Sequence, residues 1–261
     1  MIFSEVMKKL EAFAPERYAL GKDNVGYQIG RSDRDITTVC IATDVTEDII
    51  SQAEKGKAEM LLAHHPIIFT PMTKITDEDF DGRRVMRLIK SDINFVAMHT
   101  NYDALGMGDY AASLLGLVNP QVLISTDANP HIGIGRVGGL AAPTSLDEYA
   151  LFVCKAFAFD TVRVYGEGSS VIRTCAIAPG SCSQDIIGYV KEAKAELLLT
   201  GEIKYSTVLE LLSAGICVIE GGHFATERIF VADLLCFFER ELPGITAFAA
   251  QEASPFRVLS V

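Results

Sequence analysis

A chain of 261 residues with 49% hydrophobic content carries enough apolar side chain for one large domain or two modest ones. Its 23 Lys plus Arg against 34 Asp plus Glu leave a net charge of -11, which repels phosphate backbones and anionic lipid, and no Lys/Arg cluster offsets it. Nucleic acid and membrane are therefore not expected partners, and no apolar run approaches the ~18 residues a spanning helix needs.

The N-terminal segment MIFSEVMKKLEAFAP has the periodicity of an amphipathic helix, with none of the basic start, long apolar run and cleavage site of an export signal. A cytoplasmic location is the expectation. From there strand-like and helix-like segments alternate: ITTVCIAT, EDIISQAEKG, AEMLLAH, FDGRRVMRLIKSD, INFVAMH and DYAASLLGL. That rhythm predicts a mostly parallel sheet covered by helices, and the near-continuous apolar strands fit burial on both faces. Between about 126 and 170 the texture changes. HIGIGRVGGLAAP is Gly-rich, SLDEYALFVCKAFA reads as a helix opened by a capping box of Ser145 and Glu148, and TVRVYGEG reads as a strand and turn. The GIGRVG match to GxGxxG lacks a helix start directly after it, so a glycine-rich strand is the reading preferred over a dinucleotide site.

The chain also repeats itself. DIISQAEKGKAEMLLAHH (48–65) aligns without a gap on DIIGYVKEAKAELLLTGE (185–202), each followed by a helical segment and a further strand. The expected architecture is therefore α/β, with two duplicated halves and mostly parallel sheets forming one discontinuous domain (1–125 and 171–261). A small α+β domain (126–170) is expected as an insertion. The six cysteines contain no CxxC pair and read as reduced thiols; only Cys182 falls in a polar-looking turn.

Candidate chemistry gathers at predicted strand ends. His64 and His65 close AEMLLAHH and are followed by Pro66; His99 precedes Asp103 by four residues in HTNYD, and His223 precedes Glu227 by four in HFATE. A spacing of four puts two side chains on one helix face, and sites in open parallel sheets form beyond the carboxyl ends of strands. Adjacent residues of a regular strand face opposite ways, so two ions, with a carboxylate bridging them, would let His64 and His65 serve different metals. Imidazole and carboxylate donors suit Zn, Fe, Mn or Ni. His131, in ANPHIG, reads as a hydrogen-bonded structural or surface residue and not as a ligand.

LLAHHPIIF, HTNYD, TGE and GGHFATE, in that order and over essentially the whole chain, resemble the Nif-three-like dinuclear-metal family, whose members go by the name GTP cyclohydrolase I type II homologue. The resemblance implies two related α/β halves and a toroidal homohexamer. It further implies that His64 and His223 bind one divalent metal, His65 and Asp103 a second, and that Glu227 bridges both. On the same resemblance His99 either orients the site or acts as an acid–base group. Glu202 is a weaker candidate for a supporting role, and Cys182 stands where relatives commonly have glycine. A pair of divalent ions about 3.5–4 Å apart brings the pKa of a shared water toward neutrality. The expected function is a dinuclear metal-dependent hydrolase acting on a small nucleotide-like or heterocyclic substrate, the family name pointing to the GTP purine ring. No P-loop is present; Arg31, Arg34, Arg83, Arg84 and Lys204 are isolated cations that could contact phosphate. The alternative is a non-catalytic metal-binding or regulatory oligomer.

Overall fold

A computed structural model describes residues 1–259. In chain order the first elements are α1 (Phe3–Phe13), β1 (Gly26–Ile29), β2 (Thr38–Ala42), α2 (Glu47–Lys55), β3 (Met60–Ala63), α3 (Phe80–Lys90), β4 (Asn94–Ala97) and the short turn α4 (Thr100–Tyr102). A π-helical turn over Asp103–Met107 follows, then α5 (Gly108–Leu114), β5 (Val118–Ser125), β6 (Gly133–Ser145), α6 (Leu146–Phe157), β7 (Arg163–Tyr165) and β8 (Val171–Ser181). The chain continues through α7 (Ile186–Glu192), β9 (Leu197–Glu202), α8 (Tyr205–Ser213), β10 (Cys217–Glu220), α9 (His223–Glu227), α10 (Ile229–Glu241) and β11 (Thr246–Ala249). Every strand and helix expected from the alternation before residue 115 is present. No helix among the described residues is long and apolar enough to cross a membrane.

Two compact units result, one formed by Met1–Tyr102 with the chain from Phe230 onward, the other by Asp103–Ile229. The first holds a five-stranded sheet in the order β1-β4-β3-β2-β11, parallel except for β1. Its β3 and β4 are buried at every position, as two-sided coverage by helices demands. Ile49, Ile50 and Ala53 of α2 and Val85 and Leu88 of α3 pack with Cys40, Leu61 and Phe95 in its core. Caps fix both helices: the Thr46 side chain accepts from Ile49 N–H, and Asp79 accepts from Gly82 N–H at 2.7 Å.

The second unit holds a six-stranded sheet in the order β5-β6-β8-β9-β10-β7. Here β8, β9 and β10 run parallel, while β5, β6 and β7 pair antiparallel. The repeat is visible in the register. In the first unit Ala42, Ala63 and Ala97 lie side by side across β2, β3 and β4; in the second Ala178, Thr200 and Glu220 do so across β8, β9 and β10. Counting outward, His65 and Glu202 are equivalent, as the ungapped alignment required. His99 is equivalent to Gly222, so His223 sits one residue further along than His99 does.

The division differs from the boundaries expected at 125 and 170. β6 hydrogen-bonds along β8, and β7 pairs with β10, which ties residues 126–170 into the sheet of the second unit. The glycines that suggested a separate texture have a packing reason: a Cβ at Gly133 or Gly135 would run into the backbone carbonyls of Ile124 or Ile177 on neighbouring strands. GIGRVG is indeed strand, and the capping box of Ser145 and Glu148 opens α6 with both reciprocal hydrogen bonds.

Candidate metal centre

In the first unit the carboxyl ends of β3 and β4 carry His64, His65 and His99. The parallel ladder continues one step past β3, with His64 N–H donating to Ala42 O and His65 N–H to Thr43 O, before Pro66 ends it. The strict alternation that separated the two histidines is lost there: their ring centroids lie 5.0 Å apart and those of His64 and His99 5.1 Å apart. One ring nitrogen from each of the three lies within 4.8 Å of the others. His64 is wholly buried, with Phe230 and Tyr102 packed around its ring, and Tyr102 Oη donates to Asp233 Oδ2 at 2.7 Å. His65 and His99 are partly exposed.

All three rings are held at the same atom. His64 Nδ1 lies 2.8 Å from the Met98 carbonyl, His65 Nδ1 2.8 Å from Asp44 Oδ1, and His99 Nδ1 2.8 Å from Asp23 Oδ2. A carbonyl oxygen can only accept, so Nδ1 of His64 is the protonated nitrogen and the neutral ring carries its lone pair on Nε2. Burial works to raise the Asp23 carboxyl, but hydrogen bonds from His99 and from Thr100, together with the charge of His99, outweigh it and bring Asp23 down to about 2. Asp23 is therefore an acceptor at neutral pH and fixes His99 in the same tautomer. An oxygen acceptor behind Nδ1, with Nε2 presented, is how ligating histidines are oriented in metal sites. Imidazole nitrogens so arranged fit a borderline divalent ion.

Sequence reasoning missed these acceptors. Asp23 lies 76 positions before His99 and Asp44 21 before His65, so no motif links them. Glu252 extends the chain of support: its carboxylate accepts from the backbone N–H groups of Thr43 and Asp44 at 2.9–3.0 Å and so fixes the peptide that carries Asp44. The one signal available was Asp44 just past an apolar strand, at the edge where sites form.

In the second unit His223 opens α9 and Glu227 closes it, and the spacing of four is realised as expected, with His223 Nε2 3.0 Å from Glu227 Oε2. Glu202, an outward-facing carboxylate at the end of β9, lies with Oε2 3.1 Å from His223 Nδ1. Glu227 is buried, and its seat is made by the backbone. β8 carries an extra residue between Ala178 and Ser181 relative to β9, a bulge that includes Gly180 at φ 73°. A Cβ on Gly180 would collide with Glu227 Oε1, and one on Gly201 with Gly180 O and Thr226 Oγ1. Thr226 Oγ1 in turn accepts from Gly180 N–H at 3.0 Å. Asp103 begins the π-helical turn Asp103–Met107, a helix irregularity that recurs at functional sites.

Other expectations resolve differently. Cys182 does not sit in an open turn: it is buried, its Sγ is 2.8 Å from Thr200 Oγ1, and burial pushes its thiol up to about 11. Of the cations considered for phosphate, Arg31 and Arg34 both engage Asp92, and Arg84 lies buried with its guanidinium 3.2 Å over the Phe80 ring. His131 is exposed, as its surface reading required.

Comparison with known proteins agrees with this architecture. The family model described as Duf34/NIF3 (NGG1p interacting factor 3) matches residues 1–255. A Clostridium perfringens protein named GTP cyclohydrolase 1 type 2 homolog is 32% identical over 229 residues, 87% of each chain. A Lactococcus lactis protein of the same name is 30% identical over 98% of this chain and 99% of its own. Among solved structures, the Bacillus cereus protein related to NIF3 superposes with a TM-score of 0.88 at 20% identity, covering 98% of this chain and 99% of its own, a likeness of fold. Reduced HcgD from Methanocaldococcus jannaschii gives 0.81 at 28% identity over 95% and 97%. The chain belongs to the Duf34/NIF3 family.

Proposed function

We propose that the protein is a dinuclear metal-dependent hydrolase of the cytoplasm, acting on a small nucleotide-like or heterocyclic substrate. The observation that carries the reading is the common orientation of three imidazoles, each anchored through Nδ1 by an oxygen acceptor and clustered within 4.8 Å. His64, His65, Asp103, His223 and Glu227 are the proposed ligands. When bound, two divalent ions would supply an activated water and polarise a substrate oxygen.

The protein's own groups supply the rest. His99 Nδ1 is committed to Asp23, so Nε2 is the atom at which a proton is taken up and returned. Asp44 and Glu202 hold the rings of His65 and His223 against rotation. The buried surroundings of His64 keep that face of the site dry. The printed names of the relatives suggest a purine nucleotide such as GTP as the first substrate to try. A homohexamer is the assembly proposed with this reading.

Tag-free protein assayed by elemental analysis, with a hydrolase screen that includes GTP, tests it against His64→Ala and Glu227→Ala. Stoichiometric metal in the wild type, its loss from both variants and the parallel loss of one hydrolytic activity support the proposal. Metal-replete wild type that turns over nothing favours the non-catalytic metal-binding alternative, and wild type without metal overturns both.

A further inference from the structure

The loop that follows the histidine doublet presents one aromatic ring in an unusual way. Ile67 is buried, and Ile68 and Met72 pack against the first unit's core, yet Phe69 between them is 58% exposed. Its ring centroid lies 6.3 Å from that of His99, with the two planes at 74°. An exposed phenylalanine on a loop ordinarily needs no explanation. Phe80, 52% exposed, illustrates the ordinary case, since the Arg84 guanidinium lies over its ring.

Phe69 differs in being both exposed and set against the donor cluster, on a backbone held in place. Gln28 grips the preceding residue from both sides: its Oε1 accepts from Ile68 N–H at 3.0 Å, and its Nε2 donates to Ile68 O at 3.3 Å. Asn24 Nδ2 donates to the same carbonyl. A side-chain amide that makes both hydrogen bonds of a strand partner fixes the peptide, so the ring beyond it is presented from a prepared position. Preorganisation of this kind lowers the ordering cost of binding.

We infer that Phe69 is a stacking platform for a planar heterocyclic ring of the substrate. The inference rests on the hydrolase reading and names the part of the substrate that is recognised. Offset-stacked rings have centroids about 4.5–7 Å apart, so a heterocycle on Phe69 is also within reach of the His99 imidazole. Stacking is tolerant of base identity, because every base has a π-face. Phe69 thus selects flat rings as a class, while the groups around the histidines decide which bond reacts.

The chain contains no tryptophan, so Phe69→Trp places a single indole reporter at this position. The full-length, metal-loaded variant is titrated with guanosine, adenosine, uridine and neopterin, with ribose 5-phosphate as the non-aromatic control. Quenching of indole emission by at least one of the four rings and none by ribose 5-phosphate is expected. Phe69→Ala should weaken binding of that ring, measured calorimetrically, by about 10-fold or more, with Phe69→Tyr restoring it, Phe69→Leu not, and metal content unchanged. No quenching by any of the four, or an affinity unaffected by Phe69→Ala, overturns the inference. So does a blue-shifted emission of the ligand-free variant that reverts on dilution, which would mean that a second copy of the chain covers the ring. If wild type hydrolyses a substrate that binds Phe69→Ala equally well, the platform fails while the hydrolase reading stands. If stacking is seen in a protein that holds no metal, the platform stands and the hydrolase reading fails.

Discussion

Asp23 combines three contacts in one carboxylate, accepting from His99 Nδ1, Thr100 N–H and Thr100 Oγ1. An asparagine there keeps the shape but presents an NH2 or a neutral oxygen, so the Nδ1 tautomer of His99 is no longer enforced. Partners of this kind typically cost 10–100-fold in metal affinity or activity when removed. Asp23→Asn is expected to lower activity about 10-fold or more and to displace the His99 ring resonances, read by imidazole NMR, while the fold melts cooperatively. Gly180 makes the complementary argument in the second unit. Alanine at φ 73° costs about 1–3 kcal/mol, and its Cβ displaces the Glu227 carboxylate. Gly180→Ala should therefore lose both stability, by denaturant titration, and metal, by elemental analysis. Gly139→Ala serves as control: it lies in a sheet of the same unit, and an added Cβ finds only ordinary contacts at 3.9–4.0 Å.

Helices α2 and α3 are joined on the flank of the first sheet by Arg87, whose guanidinium takes Glu54 and Glu47 together with Ser51 Oγ and the Glu47 carbonyl. The Arg87 hydrogen bond, aided by Ser91 and opposed by partial burial, holds the Glu54 carboxyl below its ordinary 4.5. A depressed carboxylate stabilises the fold above its unfolded pKa, and that contribution is lost as pH falls through the folded value. The stability difference between wild type and Arg87→Ala is therefore expected to be full at pH 6–7 and to shrink below about pH 4.5, as urea midpoints across that range would read; because the pair is half-exposed, about 1 kcal/mol or less is at stake. At this scale the sequence was most legible. Unbroken apolar runs marked β2, β3 and β4, and the repeat of 48–65 in 185–202 located equivalent strand ends. Sheet membership beyond the repeat was not legible: a glycine-rich strand such as 133–145 reads as part of a separate inserted domain until its neighbours β5 and β8 tie it into the second unit's sheet. The histidines and Glu227 could be picked out from spacing because they are local; Asp23, Asp44 and Glu252 could not, because only the folded sheet brings them to the rings.

Over the whole molecule the donors are divided: His64, His65 and His99 belong to the first unit, and Asp103, His223 and Glu227 to the second. Duplication explains the asymmetry, since the equivalent of His65 is Glu202, so one copy keeps imidazoles at the strand ends and the other contributes a carboxylate and a histidine from α9. Metal held by the proposed ligands becomes a term in the stability of the fold. A ligand that binds only the folded state adds about 2.7 kcal/mol at 100 times its Kd. Chelation should then lower the melting temperature of the wild type and leave His64→Ala, already stripped, unchanged. Hydrogen exchange reads the same linkage locally. Removal of metal is expected to raise exchange in the segments around 64–66 and 98–102 of the first unit and in 222–228 of the second, each read by itself. If chelation leaves exchange in these segments unchanged, the proposed ligands hold no metal and the dinuclear reading fails.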